Sequence, residues 1–329
     1  MRSIFIIICF LTGSCFSKGG ALSAQESTQC IALITGLKGN VMVKKAGKTD
    51  FVKVLWGTQL FSGDQIKTDT KSETTLTYIN GIISGLGPGS IVTVSTGDLA
   101  KTEPAGNVKK VSSAMMVNMS ALTSGKDAKK DVGALAGLRA TDKEETIELT
   151  SPYNTLIRTN LPTFSWVPRK PYDKFVVNLY SSKGLVWSKK VDKSPLKLTE
   201  DERGLDFGET YFWNVEGEDL LENEKSPNYK FTVITTDKSK EVLVQEAMIR
   251  NTFDNDADSS SLHSFLGAYY MNQGLLQDAI NEFQIVSRIN PDAPLPHEIL
   301  GSLYSDAGNK DKAIEELQMA LKLSKAEEK

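Results

Sequence analysis

The stretch LFSGDQIKTDTKSETTLTYINGIISGLGPGS, from Leu60 to Ser90, decides how the N-terminal part of the chain is read. Gly, Asp, Ser and Thr recur in it at short intervals, as they do in ligand loops. Its apolar residues tell a different story. In TTLTYING, Leu76 and Tyr78 alternate with Thr77 and Ile79 before Asn80-Gly81. Alternation with period two is a strand, and Asn-Gly predicts a type I′ hairpin with φ > 0 at both central residues. Gly85, Gly87 and Gly89 with Pro88 punctuate further strands. Outward from there, NVMVKK sets Val41 and Val43 against Met42 and Lys44. SIVTVS sets Ile91 and Thr93 against Val92 and Val94. The segment from Cys30 to Val94 is therefore predicted to be all-β. Gly63, Asp64, Asn80 and Gly81 become turn residues, with Asp64 bonding its own backbone rather than acting as a catalytic acid.

The order Gly39-Asn40-Val41, Trp56, Gly57, Leu60, Gly63-Asp64, Ile66, Thr68 and then YINGIISGLGPGS resembles the FecR domain over about 65 residues. That family shows a G-x-V strand, a tryptophan, G-x-x-L-x-x-G-D-x-I-x-T and a later D-G-x-x-x-x-L-x-x-x-S. Asn80 replaces the Asp before Gly81. AGLRATD, Ala136 to Asp142, is similar to the V-R-G-T that often follows, with Ala140 in place of Gly. The resemblance implies a β domain in which Gly-Asp marks a tight turn. FecR-type sigma regulators place this domain in the periplasm behind a membrane span and a cytoplasmic segment. Here a different leader precedes it, so the domain is expected to serve as an envelope module.

That leader reads MRSIFIIICFLTGSCFSKGGALSAQES. One Arg precedes an apolar run from Ile4 to Leu11, and small residues follow, which is a signal-peptide layout. Two processing routes fit. TGSC ending at Cys15 resembles a bacterial lipobox, with Thr12 where Leu is usual, which implies lipidation of Cys15. Cleavage after Ala21, Ser23 or Ala24 would instead give a soluble product. SKGGALSAQEST reads as a flexible tether. Residues 1–24 are thus signal, lipobox and tether. The protein is expected to be exported, as a periplasmic or outer-membrane-associated lipoprotein.

The net charge is −3. Residues 1–21 hold Arg2 and Lys18 and no acid, so the chain beyond them is still more acidic. A nucleic-acid partner needs a basic face to displace counterions, so none is expected. No later run of 18 or more apolar residues suggests a span. Of three cysteines, Cys9 and Cys15 lie in the leader and Cys30 has no partner left, so no disulfide staples the fold. Cys30 opens the apolar run CIALITG as a small buried hydrophobe.

Three units are predicted in all. Residues 30–145 form the FecR-like β domain, with Val111, Met115, Met119 and Leu122 at helical spacing as a short covering helix. Residues 148–235 carry a second β pattern in PTFSW, FVVNLY, GLVWSKKV, YFWNVEG and NYKFTVI. Leu205, Gly208, Tyr211, Trp213 and Val215 are spaced as in a fibronectin type III-like sandwich, with Trp166 early in the core and Tyr211 suited to a tyrosine corner. Trp166, Trp187 and Trp213 are read as core. As exposed aromatics they would instead bind sugar.

Residues 238–327 are helical: one helix, then two repeats. Leu266-Gly267, Tyr270, Gly274, Ala279 and Phe283 recur as Leu300-Gly301, Tyr304, Gly308, Ala313 and Leu317, each 34 residues on. That period resembles tetratricopeptide repeats, with Pro291 closing the first. The resemblance implies a concave groove lined by the first helix of each repeat. Its positions are Ser261, Ser264, Ala268 and Met271, then Leu295, Glu298, Ser302 and Ser305. None is Lys or Arg, so a neutral or apolar partner segment is expected rather than an acidic tail. Two repeats bury little, so the preceding helix or a partner should cover an end.

No catalytic set emerges. His263 and His297 are also 34 apart, so repetition explains both. GKT at Gly47–Thr49 lacks the earlier Gly of a phosphate loop. DNDADSSS from Asp254 has Ser259 and Phe265 where a calcium loop needs Gly and Glu, and is read as the end of one helix and the cap of the next. The expectation is a non-enzymatic envelope protein with no cofactor or metal, which binds protein partners through its FecR-like and tetratricopeptide modules. Two alternatives stay open: a carbohydrate- or peptidoglycan-binding module for cell-wall glycan, and a FecR-like signalling component.

Overall fold

A computed structural model describes residues 29–95, 108–110, 122, 146–219 and 223–327. Cys15, Val111, Met115, Met119 and the stretch 136–142 lie outside them. Among the described residues the chain is mixed: mostly antiparallel sheets in the N-terminal part, then five C-terminal helices.

The first unit holds β1 (Ala32–Lys38), β2 (Val41–Lys44), β3 (Val52–Lys53), β4 (Gln59–Leu60), β5 (Gln65–Thr68), β6 (Glu73–Tyr78), β7 (Ile82–Leu86), β8 (Ile91–Thr93) and β9 (Val108–Lys110). They form two sheets, in the orders β4-β1-β6-β7-β9 and β3-β2-β5-β8. The core between them is Ile34, Val41, Val43, Leu60, Ile66, Leu76, Val92 and Val94. Val92 and Val94 point inward while Ile91 stays exposed, as alternation requires. The Asn80-Gly81 hairpin forms between β6 and β7, but Asn80 is not left-handed. Gly81 alone has positive φ, +82°, and its N–H bonds the Tyr78 carbonyl at 2.9 Å. The turn takes one residue more than a type I′ connection, so only its last position needs glycine.

The second unit holds β10 (Ile147–Ser151), β11 (Thr155–Ile157), β12 (Thr163–Pro168), β13 (Lys174–Ser181), β14 (Gly184–Val191), β15 (Leu196–Lys197), β16 (Thr210–Glu218), β17 (Asn223–Lys225) and β18 (Tyr229–Val233). Sheet β10-β12-β15 faces sheet β11-β18-β16-β13-β14. This is a fibronectin type III-like β-sandwich. Trp166, Trp213, Phe164 and Phe231 fill it, and Trp187 is half-buried at its margin. Tyr211 Oη accepts from the Asp206 N–H at 2.9 Å, which is the tyrosine corner.

The helices are α1 (Thr236–Thr252), α2 (Ser260–Gln273), α3 (Leu276–Ile289), α4 (Pro294–Asp306) and α5 (Lys310–Glu327). Asp254 and Asn255 turn the chain with φ +56°, and Ser259 caps α2 by accepting from the Leu262 N–H. The two hairpins α2–α3 and α4–α5 repeat each other in detail. Gly274 and Gly308 both take positive φ at the turns. A Cβ on Gly267 would lie 2.6 Å from the Phe283 ring, and one on Gly301 would lie 2.5 Å from Leu317 Cγ. Glycine therefore brings the first helix of each hairpin against the large side chain of the second. Among the described residues no helix is long and apolar enough to cross a membrane.

Candidate functional site

The structure puts another part of the chain against the predicted groove positions. Strand β1 bulges between Ile34 and Gly36. A bulge leaves its extra residue outside the ladder, and here that residue is Thr35. Its carbonyl accepts from Trp56 Nε1 at 2.9 Å and from Ser260 Oγ at 2.7 Å. Its hydroxyl meets Thr77 Oγ1 at 2.8 Å and Ser261 Oγ at 3.2 Å. Gly36 makes this approach feasible, since a Cβ there would lie 2.9 Å from Ser261 Oγ and 2.8 Å from Thr75 Oγ1. Gly57, at φ +83°, faces Leu295, whose Cδ2 would be 2.6 Å from an added Cβ.

Ser261, Ser264 and Ala268 are consequently buried, and Met271 and Leu295 are half-buried against the same cluster. Ser264 Oγ turns back to donate to the Ser260 carbonyl. Glu298, Ser302 and Ser305 are half-buried, and Glu298 and Ser302 make interactions of their own. The chain itself thus covers Ser261 and Leu295, and Ala268 and Met271 belong to the cluster it shares with them. Leu33, Trp56, Ile83 and Leu122 share one hydrophobic cluster with Leu262, Phe265, Leu300 and Leu303. The apolar segment resting on the first helices is the chain's own.

The sandwich meets the helices along another edge. Thr155 Oγ1 accepts from the Leu276 N–H at 3.1 Å, and the Leu156 N–H bonds the Gly274 carbonyl at 3.2 Å. Tyr153 packs against Gly308, where any Cβ would collide with its ring. Arg158 spans outward to Glu246 of α1 at 2.8 Å and Asp278 of α3 at 2.7 Å, over the ring of Tyr270. Burial opposes the guanidinium charge, but the two carboxylates outweigh it and raise its pKa. Burial pushes Asp278 up as well, against the pull of Arg158.

Other polar residues singled out in the sequence are engaged structurally. Asp64 is buried and accepts from the Ala46 N–H at 3.0 Å, the Phe61 N–H at 3.0 Å and Lys45 Nζ at 2.9 Å. It ties the turn after β2 to the turn before β5. Asn80 Oδ1 accepts from the Ile82 N–H at 3.2 Å. Each repeat pairs its histidine with a glutamate on the second helix: His263 Nδ1 with Glu282 at 2.5 Å and His297 Nδ1 with Glu316 at 2.7 Å. Cys30 donates to the Ala32 carbonyl at 3.3 Å, and burial raises its pKa, which keeps the thiol protonated and unreactive. Among the described residues no group of His, Cys, Asp and Glu could hold a metal. A cleft of about 580 Å³ between the first unit and the start of α2 is lined by Lys38, Glu73, Thr75, Asp256 and Ser259, a mixture of both charges and hydroxyls.

Thr35, Gly36 and Arg158 were not singled out in the sequence. Gly36 carried a signal, because a glycine inside an apolar strand marks a bulge or a close backbone approach. Arg158 carried none.

No protein-family model matches the chain, and no curated protein matches it by sequence. Among solved structures it is similar to a two-domain fibronectin type III segment of chicken tenascin, at 13% identity and TM-score 0.19, covering 58% of this chain and 80% of that one. It is also similar to dimeric latent PorU from Porphyromonas gingivalis, at 10% identity and TM-score 0.23, covering 65% of this chain and 17% of that one. A β-1,2-glucanase from Parabacteroides distasonis aligns at 10% identity and TM-score 0.22, over 88% of this chain and 49% of that one.

Proposed function

We propose that the chain is a non-enzymatic scaffold of the bacterial cell envelope, in which tetratricopeptide-type repeats brace a FecR-like β unit against a fibronectin type III-like sandwich. One observation carries this reading: Thr35, Trp56 and Gly57 of the same chain rest on the first helices of the two repeats, against Ser260, Ser261 and Leu295. The charged groups support it, because Asp64, Arg158, His263 and His297 are each committed to bonds within the fold. Protein partners are then met on outward surfaces. Leu185 and Val186 on β14 and Leu243 and Val244 on α1 are exposed apolar side chains of that kind. The leader would carry the protein out of the cytoplasm. Acylation of Cys15 would hold it at a membrane, each buried CH₂ contributing roughly 0.8 kcal/mol.

The test is site-specific photocrosslinking of the full chain in cells. A probe at Leu185 or Val244 should give adducts with other proteins, and a probe at Leu295 should give crosslinks within the chain to Trp56 and Gly57. Equal capture of foreign proteins from Leu295 would refute the bracing role. Detergent-phase partitioning that disappears in Cys15→Ala supports the anchor. A mature N-terminus between Leu22 and Gln25 refutes it.

A further inference from the structure

His263 sits on α2, 6% exposed, with an oxygen acceptor at each ring nitrogen. Nδ1 is 2.5 Å from Glu282 Oε2 on α3, and Nε2 is 2.8 Å from the Ala257 carbonyl in the loop before α2. A neutral imidazole has one N–H and one lone pair, so it would set a lone pair against one of these oxygens. The imidazolium donates to both. The charged side chains facing the ring are Glu282 of α3 and Arg250 of α1. Arg250 opposes the positive ring but is itself held by Glu246 at 3.1 Å. The Glu282 bond, working against burial and helped by the Ala257 carbonyl, raises the histidine pKa.

The ring stands where the first β unit docks. Ser260 and Ser261, the residues that bond Thr35, lie between the Ala257 carbonyl and His263 in the chain. The Ser259 N–H bonds the Asp256 carbonyl at 3.1 Å, so the loop that His263 grips is the loop that sets the helix cap. His297 lies 34 residues on and is the natural comparison. It meets Glu316 through Nδ1 at 2.7 Å, and no contact of its Nε2 is seen among the described residues.

We propose that His263 is a proton-operated latch: its imidazolium ties Glu282 and the Ala257 loop to the start of α2, and loss of that proton to solvent at alkaline pH loosens the docking of the first β unit on Thr35. The sign follows from linkage. The folded chain holds this proton more tightly than the unfolded chain. The contribution is complete below the ordinary histidine pKa of about 6.5 and is lost as pH rises through the folded value.

The test uses the full chain, whose two histidines make assignment simple. Ring-nitrogen NMR with labelled histidine is run from acid to alkaline pH. Hydrogen exchange is followed in parallel for peptides spanning Ala32–Lys38 and residues 257–264, each rate normalised to an unstructured reference at the same pH. At neutral pH both nitrogens of His263 should be protonated. As His263 loses its proton, protection of both peptides should fall together, with the midpoint of the NMR titration. In His263→Gln that pH dependence should vanish. If this variant does not fold, the wild-type NMR and exchange profiles decide by themselves. A single protonated nitrogen on His263 at neutral pH overturns the proposal. So does deprotonation of His263 with unchanged protection of Ala32–Lys38.

Discussion

Where α2 and α4 meet the first β unit, the contact is made of backbone, hydroxyls and glycines: Thr35 with Ser260 and Ser261, Gly57 under Leu295. Where α1 and α3 meet the sandwich, a long cation reaches two carboxylates, Arg158 to Glu246 and Asp278. The first contact depends on shape, because short groups leave no slack and a Cβ has nowhere to go. The second depends on charge, because long side chains adjust in position but an unpaired one is left poorly solvated. The two faces of one set of helices should therefore fail under different perturbations.

The strongest test of the shape-dependent face is Gly57→Val. A left-handed backbone costs a β-branched residue about 1–2 kcal/mol, and overpacking against Leu295 adds about 1–3 kcal/mol. The melting temperature should drop by the largest margin of any change considered, and salt should not modify the loss. Adding Leu295→Ala should recover the overpacking part and leave the backbone part. Full recovery, or none, would break the distinction between shape and charge.

Arg158→Ala comes next. Breaking a fully buried pair costs about 3–5 kcal/mol. This side chain is 27% exposed, so a loss of about 2 kcal/mol is expected by chemical denaturation. Raising the salt should narrow the gap between wild type and variant, whereas it leaves Gly57→Val unchanged. Arg158→Lys should recover little, since an ammonium cannot fork to two carboxylates in the plane. Gly81→Val should cost about 1–2 kcal/mol through its backbone alone. Crosslinking between Leu295 and Gly57 should survive it. The smallest effect belongs to Ser261→Ala. It removes one hydroxyl contact with Thr35 and should cost about 0.5–1.5 kcal/mol, readable in the exchange rates of β1 before it is visible in melting.

Much of the architecture was legible because it repeats at short range. Leu76 and Tyr78 alternate, Tyr211 and Trp213 alternate, and Gly267 and Gly301 stand one period apart, so local geometry wrote itself into spacing. The packing of the units was not legible in this way. Thr35 and Ser260 are 225 positions apart, and one hydroxyl on one carbonyl leaves no periodic trace. CIALITG read as an apolar run, while the structure bulges it at Thr35, beside its glycine. The groove chemistry drawn from Ser261, Ala268 and Leu295 described small and apolar surfaces, but spacing could not say that the covering segment came from the same chain. Asn80 carried the hairpin signal, and loop length rather than residue type decided that only Gly81 is left-handed.

Tyr153 and Leu156, three positions apart on the sandwich, rest on Gly308 and Gly274, which mark the turns of successive hairpins. Arrays of helical hairpins behave as springs, since each repeat touches only its neighbours and small rotations accumulate along the stack. A single segment seated on two consecutive turns acts as a gauge block: it fixes the pitch from outside the stack. Winding or stretching the pair would have to drag the sandwich with it. Force applied at either end of this chain should therefore pass through the β layers instead of being absorbed as elastic extension of the helices.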